Sequence, residues 1–325
     1  MNPKIFIGPM SKNIVDSIIE IANEQKVQIG LIPSRRQVDY NGGYVNNWKT
    51  KTFSEYVKYR TNNVLLIRDH AGPLQGDNED EGYDSMSYDS QYMDIIHVDV
   101  WKKYTNIEDG IKKTIDFINF CYSMNPKVLF EIGTEESIRK FSAEELEYLI
   151  SELKKRLDIN VFNQIKYAVI QCGTGLLGNT NFRTFDESRL TSMIEICKKY
   201  NLLSKEHNGD YQTIEIIQNK FKLGLNSINI APEFGKIETE AILDFTKDDK
   251  EFFDFFYTLC YKSKKWVKWV NSNFNPEENK LDLILISGHY VFSNIDFQNK
   301  INNFNGIDSF IKERIRARLI ELLSI

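Results

Sequence analysis

The chain has 325 residues, 42% hydrophobic and 27% charged, with a net charge of −5. This is ordinary globular composition, with length enough for a core that needs no staples, and it lacks the basic footprint of a nucleic-acid binder. Four scattered cysteines without a CxxC pair argue against a disulfide framework or a thiolate zinc site. No leader and no bilayer-length apolar run is read, so a soluble, cytoplasmic protein is expected.

Short apolar runs alternate with amphipathic stretches along the chain. The runs are KIFIGP (4–9), VQIGLIPS (27–34), NVLLIRDH (63–70), DIIHVDVW (94–101), KVLFEIG (127–133), YAVIQCG (167–173), LLSKEHN (202–208) and SINIAP (227–232). Most are Val-, Ile- and Leu-rich without alternation, as strands buried on both faces of a parallel sheet are. LLSKEHN is apolar only in its first half. Helical patterns lie between them: Asn13–Lys26, Asp109–Tyr122, Ser142–Arg156 and Thr213–Leu223. Ser142 and Glu145 form a capping-box signature. Eight strands alternating with helices predict an α/β fold, a (β/α)8 TIM barrel over 1–240. An open doubly wound sheet is the alternative, but no GxGxxG follows any strand. Residues 241–325 read as the last barrel helix and a C-terminal helical extension. The extension carries an aromatic-rich helix over 251–271, the segment LDLILISGHYVF (281–292), and a charged amphipathic helix over 307–325.

The polar residues fall where a barrel places its active site, at the C-terminal strand ends. These ends carry Ser34, Arg35 and Gln37; Asp69 and His70; His97 and Asp99; Glu131; Gln171; Glu206 and His207; and Asn229. Three of the four histidines sit at these rims, and His289 lies in the extension. Histidines converging with several carboxylates suit a divalent ion, Zn²⁺ first, with Mn²⁺ or Fe²⁺ as alternatives. Glycine-rich stretches at 41–44, 71–73, 173–175 and 208–210 read equally as tight turns or as close approach to a polyhydroxylated or phosphorylated ligand.

The ordered series QVDYNGGY (37–44), RDHAGP (68–73), HVD (97–99), EIGTEES (131–137), EHNGDYQT (206–213) and NIAPEFG (229–235) resembles one family. It is the tagatose-bisphosphate aldolase accessory-subunit family, related to the class II, metal-dependent fructose- and tagatose-bisphosphate aldolases. The resemblance covers roughly residues 1–240 and implies a barrel in which a divalent metal polarises a ketose carbonyl and stabilises an enediolate. It implies Asp69 as acid/base; Glu206, beside His207 in sequence, is read separately as a second proton-transfer candidate or as a residue that orients His207. His70, Asp99, Glu131 and His207 are the implied metal set. Ser34, Arg35, Gln37, His97, Gln171, Asn208, Asp210 and Asn229 are the expected substrate contacts.

Two departures from the pattern stand out. The sixth-strand histidine of those aldolases has no counterpart in QCGTGLLGN, which carries Gln171, Thr174 and Leu176. At the phosphate cradle, Asp210 replaces a serine and Pro232 a threonine. The expected function is a metal-dependent, aldolase-like lyase acting on a sugar or sugar phosphate. The alternatives are a non-catalytic subunit stabilising a partner aldolase chain, with an apolar patch on the 251–271 helix, or a sugar epimerase or isomerase on the same site. The expected partners are a carbohydrate substrate and either further copies of the chain or an aldolase subunit, with no nucleic acid and no membrane.

Overall fold

The computed structural model describes residues 2–178, 180–181 and 185–325. Eight strands form the barrel: β1 Ile5–Ile7, β2 Ile29–Leu31, β3 Val64–Ala71, β4 Ile95–Val98, β5 Leu129–Ile132, β6 Ile165–Ile170, β7 Leu203–Glu206 and β8 Ser227–Ile230. All neighbours pair in parallel, and β8 closes on β1 with Phe6 opposite Asn229. The expected (β/α)8 barrel is what the chain builds. Between β6 and the helix that follows it, Leu176–Leu177 and Thr180–Asn181 form a small antiparallel hairpin.

The outer ring is α1 Lys12–Gln25, α2 Thr50–Lys58, α3 Tyr83–Tyr92, α4 Ile107–Met124, α5 Ala143–Arg156, α6 Glu187–Lys199, α7 Ile214–Lys222 and α8 Pro232–Phe245. Local chemistry sets their starts. Ser11 accepts from the Ile14 amide, Ser142 and Glu145 complete the capping box of α5, and Asp186 caps α6. Each satisfies an amide the first helical turn leaves bare, worth about 1 kcal/mol.

The extension adds α9 Lys250–Ser263, α10 Lys280–Ser287, α11 Ile295–Ile301 and α12 Ile307–Leu323. The expected single helix over 251–271 stops at Ser263, because Lys264 turns left-handed (φ 58°) and a short 3-10 turn, Val267–Trp269, follows. The aromatic stripe Phe252, Phe256 and Tyr257 is buried, with Phe252 and Phe256 packed against Phe297 of α11. It is core, where the subunit reading expected an exposed patch. Ile307, Ile311, Ile315 and Leu319, four residues apart, bury one stripe of α12 against α1 and α8.

Strand alternation decides which side chains enter the barrel. Phe6, Ile32, Ile67, Ile95 and Tyr167 form a separate apolar cluster with Leu65, Leu129 and Leu203, which is the floor of the barrel interior. Gly30 makes the space for Phe6: a Cβ there would lie 1.8 Å from the Phe6 ring. Above the floor, fully buried Lys205 lies 4.1 Å over the Phe6 ring and pairs with Glu131. The residues next in this inward series are Asp69, His97, His207 and Asn229.

Candidate active site

The site begins with an irregularity in β3. Its pairing with β4 shifts register between Arg68 and Ala71, and His70 takes a left-handed conformation (φ 48°). Regular alternation would send His70 outward after inward-facing Asp69; the bulge turns both toward the barrel mouth. A non-glycine residue in that conformation costs on the order of 1 kcal/mol and persists only where neighbours hold it. Here the His70 amide donates to His97 Nδ1 at 3.2 Å, and the Asp69 amide bonds the Pro33 carbonyl.

Three imidazoles converge on the Asp69 carboxylate. His70 Nε2 lies 3.6 Å from Asp69 Oδ2, His97 Nδ1 3.5 Å from Oδ1, and His207 Nδ1 3.7 Å from Oδ1. The opposite nitrogen of each ring is held by an acceptor. His70 Nδ1 meets Asp99 at 2.6 Å, His97 Nε2 the Gly133 carbonyl at 3.0 Å, and His207 Nε2 meets Glu131 at 2.6 Å. Those acceptors keep a proton on the outer nitrogen and aim the inner one at the centre, the arrangement that fixes imidazole tautomers around metals. Donor atoms of Asp69, His70, His97 and His207 all lie within 4.8 Å of one another.

Opposite charges stabilise the cluster, and His70 would have to lose its second proton to offer a nitrogen to a metal. Burial works against the Asp69 anion, but His70, His97 and His207 outweigh it and hold the carboxyl well below its ordinary range. Burial disfavours the His70 cation too, yet Asp69 and Asp99 raise its pKa to about 10. Burial lowers His207, and Glu131 only partly offsets that. Glu131, despite its burial, is kept ionised by Lys205 and His207. His207 Nδ1 is buried without a partner, a costly state for a polar atom unless a ligand completes it.

The cavity beside the cluster measures about 350 Å³ and is lined by Ile32, Asp69, His70, Glu135, Ser137, Leu176, His207, Asn208, Asp210, Asn229, Ala231, Pro232, Lys268 and Trp269. Both side-chain polar atoms of Asn229 are buried and unpartnered, as expected of a residue that awaits a ligand. Asn208 lines the same wall, donating to the Thr174 carbonyl at 3.4 Å. Asp210 is held at the start of α8, its Oδ1 accepting from the Ala231 and Glu233 amides at 2.8 Å each. Burial and nearby Glu233 push its carboxyl well above the ordinary range.

Several expected site residues are placed elsewhere. Glu206 lies between inward-facing Lys205 and His207, so it points outward: Lys220 of α7 bonds both its oxygens at 2.7 Å, and Thr174 and Cys172 donate to it. It is a structural ion-pair partner and does not face the cluster. Asp99 and Glu131 do not converge with the inner donor atoms; they orient His70 and His207, and Asp99 also accepts from Thr134 at 3.0 Å. His97, expected to touch substrate, sits inside the cluster. Arg35 is held between Asp39, Asp80 and the Gly72 carbonyl, where it stitches loops and does not line the histidine cavity. Gln37 accepts from the Ser34 amide, and Gln171 is clamped by Phe141, Arg189, Thr134 and Arg139. Ser34 forms an isolated bridge with Asp69. His289 lies away from the cavity among Tyr44 and Tyr290, its pKa lowered by burial to about 3. Lys205 was not singled out in the sequence, although its inward parity beside His207 carried the signal. Lys268, far from any strand, gave none.

No family model and no curated protein sequence matches this chain. Its fold, however, recurs among solved structures. A probable tagatose 6 phosphate kinase from Sinorhizobium meliloti 1021 aligns over 99% of this chain and 100% of its own, at 12% identity and a TM-score of 0.86. The YdjI aldolase from Escherichia coli K12 aligns over 99% and 90%, at 11% identity and a TM-score of 0.59. The fructuronate-tagaturonate epimerase UxaE from Cohnella laeviribosi aligns over 98% and 81%, at 11% identity and a TM-score of 0.64. What these chains share is the fold. The aldolase resemblance of the sequence fits them at that level. Among the described residues, no helix is long and apolar enough to cross a membrane.

Proposed function

We propose that this chain is a metal-dependent, aldolase-like lyase acting on a sugar or sugar phosphate. One observation carries the reading: buried His97 and His207 and half-buried His70, each with its outer nitrogen held by an acceptor, turn their inner nitrogens on a shared centre beside Asp69. Three imidazoles with an open position suit a catalytic divalent ion such as Zn²⁺. His70, His97 and His207 would hold it, with Asp99, the Gly133 carbonyl and Glu131 as the supports that fix their tautomers. The orphaned His207 Nδ1 fits that role. Such binding would displace the contact from the His70 amide to His97 and the contacts of the three inner nitrogens with Asp69.

A bound ion would supply Lewis-acid polarisation of a substrate carbonyl. The rest belongs to the chain's own side chains. Asp69, ionised and at the cavity wall, accepts the proton whose removal breaks the carbon–carbon bond of an aldol and returns it in the reverse direction. Asn229, with its amide donors and acceptor unused, bonds substrate hydroxyls. Ile32, Leu176 and Trp269 exclude water from one side of the cavity. The buried Lys205–Glu131 pair keeps Glu131 charged, so His207 stays oriented.

The test is cleavage of ketoses and ketose phosphates by the purified chain, with and without Zn²⁺ or Mn²⁺ after chelation. Turnover should require metal and fall by about 10²–10⁴-fold in Asp69→Asn, the range expected for loss of a general base, while metal content is unchanged. Metal-independent turnover, or full activity in Asp69→Asn, would overturn the proposal.

A further inference from the structure

Helix α8 starts at the cavity wall, and such an N-terminus is a ready seat for an anion. Here that seat is taken: Asp210 accepts the Ala231 and Glu233 amides. An anionic group on a substrate therefore has to be met elsewhere. Among the described residues the cavity lining contributes no arginine and one lysine, Lys268, carried by the 3-10 turn of the extension; the other positive group there, His70, is already paired with Asp69 and Asp99.

Lys268 also lines a second cavity of about 240 Å³, shared with Arg36, Tyr44, Lys264, Lys265, Val267 and Tyr290. Lys268 thus connects the histidine cavity to a chamber in which four cations meet. Two carboxylates face them: exposed Asp77, 3.7 Å from Arg36 and 3.2 Å from Lys265, and Glu135, which lines the histidine cavity beside Lys268 and attracts its charge. No ion pair involves Lys268 among the described residues. Lys268 is exposed where it overhangs the two cavities. Desolvation against their walls, with Arg36 and Lys265 alongside, lowers its pKa below the ordinary lysine value. Four cations against two carboxylates leave the chamber with an excess of positive charge that an anion would offset. The indole N–H of Trp269 donates to the Tyr290 hydroxyl at 3.2 Å, which leaves the Tyr290 O–H as a donor at the junction.

We propose that this cationic chamber, with Lys268 as its specificity-determining residue, receives the anionic end of the substrate, a phosphate or a carboxylate, while the carbonyl end lies at the histidines. The assignment rests on the sugar-processing reading above, and it gives the C-terminal extension a direct part in choosing the substrate.

The test is calorimetric binding of fructose, fructose 6-phosphate and fructuronate to the metal-loaded wild type, Lys268→Met and Lys268→Arg. The wild type should bind at least one anionic sugar about tenfold or more tightly than neutral fructose, with a preference that shrinks as salt rises. The phosphate and carboxylate arms show which anion is taken. Lys268→Met should abolish the preference with metal content and fold unchanged, and Lys268→Arg should restore most of it. Equal binding of neutral and anionic sugars, no binding of any of the three, or a preference that survives Lys268→Met would overturn the subsite. Metal uptake is read separately: its loss with the anion preference intact sinks the metal reading alone.

Discussion

Replacing Glu206 by Gln separates a structural carboxylate from a catalytic one. Glu206 and Lys220 are both essentially buried, and the ammonium bonds both carboxylate oxygens at 2.7 Å. Glu206→Gln keeps the shape but leaves the Lys220 charge without its partner. Breaking a buried pair from one side costs about 3–5 kcal/mol, a large share of a total stability of about 5–15 kcal/mol. Lys220→Met alone should cost a similar amount, because it strands the carboxylate against Cys172 and Thr174. The double variant Glu206→Gln/Lys220→Met removes both charges and should recover most of the loss, leaving a coupling energy of about 2 kcal/mol or more. Urea unfolding followed by circular dichroism reads all four proteins, and metal titration of each folded variant should match wild type. A Glu206→Gln protein of wild-type stability that had lost turnover would refute the outward placement and return Glu206 to the active site.

Three further outcomes follow from the same geometry. Asp99→Asn removes the negative charge behind His70 and should weaken metal affinity by about 10–100-fold, measured by competition with a fluorescent chelator; unchanged affinity would deny Asp99 its orienting role. Gly30→Ala sets a methyl 1.8 Å from the Phe6 ring and should cost about 1–3 kcal/mol or more by overpacking, measured by urea unfolding. Glu238 makes its own contribution to the pH dependence. Its carboxyl, bonded by Ser11 and Asn13, is raised by burial to about 7 from an ordinary 4.5. The folded state therefore binds this proton more tightly, and the contribution of Glu238 to stability is full below pH 4.5 and is lost as pH rises through 7. Glu238→Gln should stabilise the protein by an amount of the order of 3 kcal/mol at about pH 8 and by little near pH 4.5; a gain independent of pH would contradict the assignment.

The barrel was legible because unbroken apolar runs separated by amphipathic stretches admit few other packings. Asp69, His70 and His207 were legible because polar residues at apolar strand ends need a reason to be there. Strand parity was the finer information that residue type alone does not carry. Glu206 and His207 are neighbours in sequence, yet one faces α7 and the other the barrel axis. At β3 parity itself misleads, since the bulge turns His70 inward after Asp69. The roles of Asp99 and Glu131 were displaced by one layer: both are near the histidines, but each spends its oxygens on an outer ring nitrogen. Arg35 looked like an anion contact until Asp39 and Asp80 were found around it. Lys268 was out of reach of sequence reasoning, because only the folded extension carries it back over the mouth.

The central claim is that His70, His97 and His207 hold one divalent ion. Calorimetric titration of the chelator-treated chain with Zn²⁺, alongside His207→Ala, tests it most directly. One ion bound per chain by the wild type, with the affinity lost in a folded His207→Ala variant, is the result predicted. No binding by the wild type, or the same affinity and stoichiometry in His207→Ala, would contradict it.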